Sequence, residues 1–565
     1  MRHENIHYEV LGQRGTSWTI VAVVDEQEEA MNAARTAKMS YRAVKVMRER
    51  FDPSTNTYRS GQIFYSGPAP KVSKYDPEEM PGICWKFEDF YSYEGRRSIN
   101  RLLRAELVQW GLTATELIHS LEHVERLQDH GTALQRAVQQ TAIAQIRETG
   151  QGVQERIKQI YELIDIGTAH LRRDKDSVAR LRTISDSIDP LVEDFAGRES
   201  RAYLLNTALT RYLGDVRSYG EKLSRITALV RDDHPAWVHE VVDSFVGEIL
   251  TLGNIVHRLV GERLSLKDEL ATIADLTLGR LDAGDHTVEP AAHVISRLIR
   301  AGKMPCARQS LEHHLIEQLR GKHPLVEGDV AAESSAAKEL MDRLRNDDGS
   351  WIGDMAMMEA AGSRCSRWLN PETIAEFLAP AQTPEDRAAR LMELEPNVVG
   401  AANKRRLAEY LLPIIVSPQA EVHFTGTDGG VSTRMKAIAG LQNQILASGL
   451  QEMHMRRTAE RLDAYCCKLM QKARMVERLT TGEGSVSDKC IGLLKMIMDG
   501  YFTVGNADAQ ARQAIRALMA APTFAESLFA GVRGRDEKIA RLEGLQRMLF
   551  AARIEAEPEA GQDVA

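Results

Sequence analysis

Cysteine, aromatic residues and long apolar runs are all scarce in this chain, and each scarcity removes a class of protein. Its six cysteines (Cys84, Cys306, Cys365, Cys466, Cys467, Cys490) are scattered over 565 residues and form no C-x-x-C pair. That spacing excludes a disulfide framework and a thiolate zinc site, and leaves buried, reduced thiols of a cytoplasmic protein as the expectation. No stretch approaches the ~18 consecutive apolar residues of a membrane span. The leading MRHENIHYEV lacks the basic-then-apolar pattern of a secretion signal. A dominant charge sign is missing too: 72 basic residues face 80 acidic ones, for a net charge of −8. A generic polyanion binder is therefore not expected, so nucleic acid is an unlooked-for partner.

Recognisable chemistry is equally thin. There is no G-x-S-x-G nucleophile elbow and no H-E-x-x-H. Glu116, His119 and His123 share one helix face at i, i+3 and i+7, and E-x-x-H is the pairing that di-iron helical bundles use. Such sites need a second E-x-x-H on a facing helix, and the only other one is Glu4/His7, so no metal is expected. His170, in TAHLRRDKD, reads as an accessible surface histidine. Catalytic and cofactor-binding residues are accordingly assigned to none, and the chain leans towards a non-enzyme.

What the chain has in quantity is Ala, Leu, Glu, Arg and Gln, whose straight or small side chains lose little freedom in a helix. The exception is the start. Ile6–Leu11 and Trp18–Val24 are strand-like, the second alternating Trp18, Ile20, Ala22 and Val24 on one face. Asp25 with Glu28 forms a capping box for a helix to about Met39. Ala43–Arg50 and Thr57–Tyr65 make a hairpin around residues 52–56. The expected fold is mostly α, with a small ββαββ module over 1–66. A Pro-rich linker and docking segment follows over 67–97, where Trp85, Phe87, Phe90 and Tyr91 are the docking candidates.

Residues 98–265 read as a long-helix bundle. Within 198–265, Leu205, Leu209, Tyr212, Val216, Tyr219, Leu223 and Ile226 follow a 4-3-4-3 spacing that resumes at Val238, Val242 and Phe245. This heptad-like pattern predicts a coiled-coil-like hairpin of two helices of ~45 Å each, and marks these residues as interface candidates for a homodimer. An earlier seam runs over 132–188, weakened at Gly150, Gly152 and Gly167. Residues 266–416 read as a short-helix domain and 417–554 as a C-terminal helical domain. In the latter, a strand at Glu421–Phe424 is expected to precede a long helix over 432–479. Residues 555–565 form an acidic, disordered tail.

The function expected from this pattern is a non-enzymatic helical scaffold or regulatory interaction protein that self-associates and binds protein partners. Two alternatives have a residue basis. Arg96, Arg97, Arg101 and Arg104 precede a Trp110-Gly111-Leu112-Thr113 elbow, so 96–130 is a helix-turn-helix-like candidate for DNA. Against it, the groove-facing helices carry Glu116, Glu122, Glu125 and Asp129. The Gly-rich loop 426–433 lies where backbone amides cradle a phosphate ligand, yet lacks the G-K-[ST] of a P-loop.

Overall fold

The computed structural model describes residues 6–14, 17–41, 43–52, 57–67, 80–427 and 430–554. Among them are four strands and 28 α-helices. Contacts divide the chain into two compact units, one of Met1–Gly82 with Ile143–Gln151, the other of Ile83–Ala142 with Gly152–Ala565.

The first unit carries the expected ββαββ order: β1 (Ile6–Arg14), β2 (Ser17–Val24), α1 (Gln27–Ala37), β3 (Ala43–Asp52) and β4 (Thr57–Ser66). The sheet is antiparallel throughout, in spatial order β2-β1-β3-β4. Ala30, Ala34 and Ala37 of α1 are buried with Tyr8, Val10, Val44 and Val46, the small alanines letting the helix lie close to the sheet. Two local expectations are corrected. The helix begins one residue late, after Glu26, so no side chain caps it and the Asp25–Glu28 box does not form. In β2 a bulge breaks the alternation. Val10 faces Ala22 but Leu11 faces Ile20, so Val21 is the extra residue. Ala22 and Val24 pack towards α1, whereas Ile20 is 58% exposed. The residues of the 52–56 turn between Asp52 and Thr57, most of the linker and the 555–565 tail lie outside the described residues.

The second unit is helical. A 3-10 turn at Phe87–Tyr91 leads into α2 (Tyr93–Leu102), α3 (Arg104–Trp110), α4 (Ala114–Ile118), α5 (Leu121–Asp129), α6 (Gly131–Thr149, whose last residues from Ile143 count with the first unit) and α7 (Val153–Ala179). The seam over 132–188 is thus split at Gly150, which takes φ +67. The predicted 198–265 hairpin is four helices instead of two: α8 (Asp189–Phe195) is followed by α9 (Arg201–Tyr212), α10 (Tyr219–Leu229), α11 (Ala236–Leu250) and α12 (Ile255–Val260). Gly214-Asp215 and Gly253-Asn254 interrupt the two expected rods, Gly253 with φ +59. The apolar spacing survives these breaks because the short helices fold back on one another. Leu205, Leu209, Val216, Leu223, Ile226, Val238, Val242 and Phe245 are all buried, and Tyr212 and Tyr219 pack against the same core. In this chain the seam is interior.

That core continues through α13 (Leu266–Thr277), α14 (Pro290–Arg300), α15 (Pro305–Arg320), α16 (Val330–Arg343) and α17 (Asp354–Trp368). A second core starts at Leu369, inside the segment 266–416 that the sequence reads as one domain, and runs to Ile554. Two further expectations fail there. Glu421–Phe424 belongs to a helix, Pro418–Thr425, which starts with Pro418 in the first turn and Ser417 as its cap. The 432–479 helix is three, Val431–Leu446, Glu452–Lys472 and Met475–Thr481. The first two form a hairpin, and Arg474 in left-handed backbone (φ 47) separates the last. No helix of the described residues is long and apolar enough to cross a membrane.

Candidate functional site

The densest concentration of charge with burial lies at the Trp110–Thr113 elbow between α3 and α4. Gly111 makes the turn with φ +65, and a Cβ there would lie 2.6 Å from the Arg217 carbonyl oxygen. Only glycine fits. Thr113 caps α4, its hydroxyl accepting from the Glu116 amide at 3.2 Å while Glu116 Oε2 accepts from the Thr113 amide at 2.9 Å.

Each helix end at the elbow faces a group of opposite polarity. The carbonyls at the C-terminal end of α3 receive three donors from α10 and the loop before it. Arg217 donates to Trp110 O at 3.1 Å, the single Tyr219 hydroxyl proton is shared between Leu107 O and Leu112 O at 3.0 and 2.9 Å, and Lys222 Nζ donates to Gly111 O at 2.6 Å. The N-terminus of α4 receives a carboxylate from α11. Glu248 accepts from the Thr115 amide at 2.9 Å and its hydroxyl at 2.7 Å, and pairs with Arg96 of α2 at 3.2 Å. Cations at a C-terminus and an anion at an N-terminus both follow the helix dipole. Lys222 also pairs with Glu116. Glu116, Lys222 and Glu248 have side chains at most 1% exposed. Burial pushes the Glu116 and Glu248 carboxyls up and the Lys222 amine down, opposed by the partner charges.

Beside this knot, His119 is wholly buried. Its Nδ1 lies 2.8 Å from the Thr115 carbonyl, which fixes Nδ1 as the protonated nitrogen of a neutral ring. Its ring packs on Tyr91 and Tyr203 at 4.9 and 5.3 Å between centroids. Burial and the Arg96 charge push its pKa down to about 3. Tyr203 also meets His170 at 5.5 Å, and Phe87 meets His170 at 5.2 Å. The aromatic segment therefore docks on α4, α7 and α9: Phe87 and Tyr91 sit in this ring cluster, and Trp85 (53% exposed) lies over Arg156 at 5.2 Å. Phe90 is half-buried beside them.

Of the charged members of the knot, Glu116, Lys222 and Glu248 are closed to solvent, whereas Arg217 is exposed. The arrangement ties α2, α3 and α4 to α10 and α11. Of the Glu116, His119 and His123 trio, Glu116 is engaged by Lys222 and Thr113 and His119 by Thr115 through Nδ1, while His119 Nε2 is buried without a hydrogen-bond partner among the described residues. Among the described residues no group of three or more His, Cys, Asp or Glu converges as a metal site. Of the helix-turn-helix-like element, Arg96 and the 111–117 stretch are buried, whereas Arg104, Glu122, Arg126 and Asp129 are exposed. His170 pairs with Asp174 at 3.3 Å. All six cysteines are free, and burial raises Cys84 to about 11 and Cys306 to about 12.

The Gly-rich loop 426–433 falls partly outside the described residues, since Asp428 and Gly429 are not among them. Cations next to it are already engaged: Lys472 with Thr425 Oγ1 at 3.0 Å, Lys468 and Arg461 with Glu421 at 2.6 and 3.0 Å.

Sequence reasoning missed the partners Lys222, Glu248 and Arg96. In AWVHEVVDSFVGEIL, Asp243 and Glu248 share a helix face with Glu240 and Ser244, a pattern that reads as a solvated stripe, whereas the structure buries all of Val241–Leu250. Buried carboxylates require partners. Asp243 accepts from the Cys306 and Ala307 amides at 2.8 Å, capping α15 as Glu248 caps α4. Compared with protein families, with curated proteins and with solved structures, the chain matches none.

Proposed function

We propose that this protein is a non-enzymatic helical scaffold or regulatory interaction protein, associating through its N-terminal β module. The observation that carries this reading is β2, an outer strand whose sequence SWTIVAVV is uncharged and whose Ile20, Val21 and Val23 are 58%, 38% and 55% exposed. Sheet edges are ordinarily guarded by lysine, proline or a covering element, because unpaired backbone groups recruit other strands. An apolar, uncharged edge suits association. The buried charge pairs at the elbow support the same reading, since they stiffen the helical unit without furnishing an open reactive group.

Light scattering on the purified chain, with an Ile20→Lys, Val23→Lys variant beside it, tests the proposal. Association, with itself or with a co-purifying protein, is expected in the parent and lost in the variant. A bare 63.1 kDa particle at tens of micromolar overturns it.

A further inference from the structure

The interaction reading leaves open what occupies β2, and the strand's own chemistry narrows it. Because of the bulge at Val21, Ile20 and Val23 both lie on the sheet face away from α1, Ile20 opposite Leu11 and Val23 opposite Glu9. Ala22 and Val24 remain on the α1 side. The bulge therefore gathers two branched side chains on one face at an edge that no strand of the described residues pairs, where regular alternation would have sent Ile20 under the helix. The other outer strand differs: β4, TYRSGQIFYS, contains Arg59 and Gly61. Of the two edges, β2 alone is free of charge.

From this we infer that the occupant of β2 is a second copy of the same strand, paired antiparallel across a two-fold axis normal to the sheet, so that two four-stranded sheets become one of eight. The step rests on the interaction reading above. Three properties of the chain favour it over an unrelated strand. An uncharged strand meets its own copy with no like charges opposed, and like charges directly across a pair are destabilising. A two-fold normal to the sheet keeps each α1 on the same side, so Ile20 and Val23 of both copies join into one apolar strip on the other face. Val, Ile and Thr are also among the residues that suit a strand junction. The chain as a whole carries −8, so two copies approach most easily through a strand bearing none of that charge. Such an interface is isologous and closes at two copies.

The test is light scattering on the full chain over 1–100 µM, with cysteine cross-linking of Thr19→Cys, Val21→Cys and Val23→Cys variants. A mass of twice 63.1 kDa is expected, falling to 63.1 kDa in Ile20→Lys, Val23→Lys. Both substituted side chains are more than half exposed, so the thermal transition of that variant is expected to match the parent's. Disulfide-linked dimers should peak at a single position of the strand, as residues opposed to themselves across a two-fold must. A dimer that survives the lysine substitutions overturns the assignment to β2. A 63.1 kDa chain holding a different protein, released by the same substitutions, overturns the second copy while sparing the interaction reading. A bare monomer overturns both.

Discussion

At the residue scale, Gly111 and His119 are the positions where one side chain decides most. Gly111→Ala places a Cβ 2.6 Å from a backbone oxygen in left-handed backbone. The strain alone is about 1–2 kcal/mol, and the clash adds to it. A clear fall in urea midpoint is expected, with secondary structure otherwise intact. His119 makes stability depend on pH. Its folded pKa, about 3, lies below the ordinary 6.5, so the unfolded chain binds the proton and the folded one does not. Stability from this group is complete above pH 6.5 and is lost as pH falls towards 3, by about 1.4 kcal/mol per pH unit. His119→Phe keeps the ring against Tyr91 and Tyr203 and removes the proton site. Its unfolding free energy should lose one proton's worth of slope between pH 6.5 and 5. Parallel profiles for parent and variant would mean that the histidine titrates normally. Neither role was legible in the sequence: Gly111 was visible as a turn residue, but its neighbour Arg217 is far along the chain, and His119 showed only its helix face.

At the scale of elements, the knot and the seam give opposite lessons. Glu116→Gln leaves Lys222 charged and buried without its partner, which costs about 3–5 kcal/mol. Replacing both, as Glu116→Gln with Lys222→Met, should recover most of that loss, measured as a non-additive double-mutant cycle. Simple additivity would mean that the two groups do not pair in solution. For the seam, Leu209→Ala empties part of a fully packed site and is expected to cost about 2–5 kcal/mol without changing the particle mass. Loss of a dimer with stability unchanged would restore the seam as an interface. The sequence revealed which residues of 198–265 are apolar-facing, because periodicity reports burial. It could not say against what, since the same spacing serves an interchain groove and a folded-back bundle. The helix ends at Tyr212 and Leu250 were hidden because the spacing runs through them unbroken.

At the scale of the whole molecule, the fold class and the ββαββ order were readable from strand alternation and the position of α1. The division of the helical part was not. The two cores meet between Trp368 and Leu369 within a run of short helices of similar composition, so nothing in residue type marks the change. The same limitation hid the second-core carboxylate Asp463. It accepts from the Asn506 and Ala507 amides at 2.7 and 3.1 Å and from the Thr503 hydroxyl at 2.7 Å, a bond between segments some forty residues apart. Long-range caps of this kind are invisible to any local pattern.

Helix α11 has a consequence for how the protein is made. It supplies both Glu248 and Asp243, and so anchors α4 before it in the chain and α15 after it. The Thr115 amide and its Glu248 acceptor are 133 residues apart. At a synthesis rate of about 5–20 residues per second, the elbow leaves the ribosome roughly 7 to 27 seconds before its anchor exists. Through that interval Leu107, Leu112 and Leu117 can already cluster with Trp110, Leu127 and Ala137, but Arg96 lacks its carboxylate, and Glu116 lacks its amine until Lys222 follows 106 residues on. The elbow is therefore assembled before it is locked, and residues 93–130 of a ribosome-bound chain stalled before Glu248 should be cut by protease faster than those of one stalled well past Arg320.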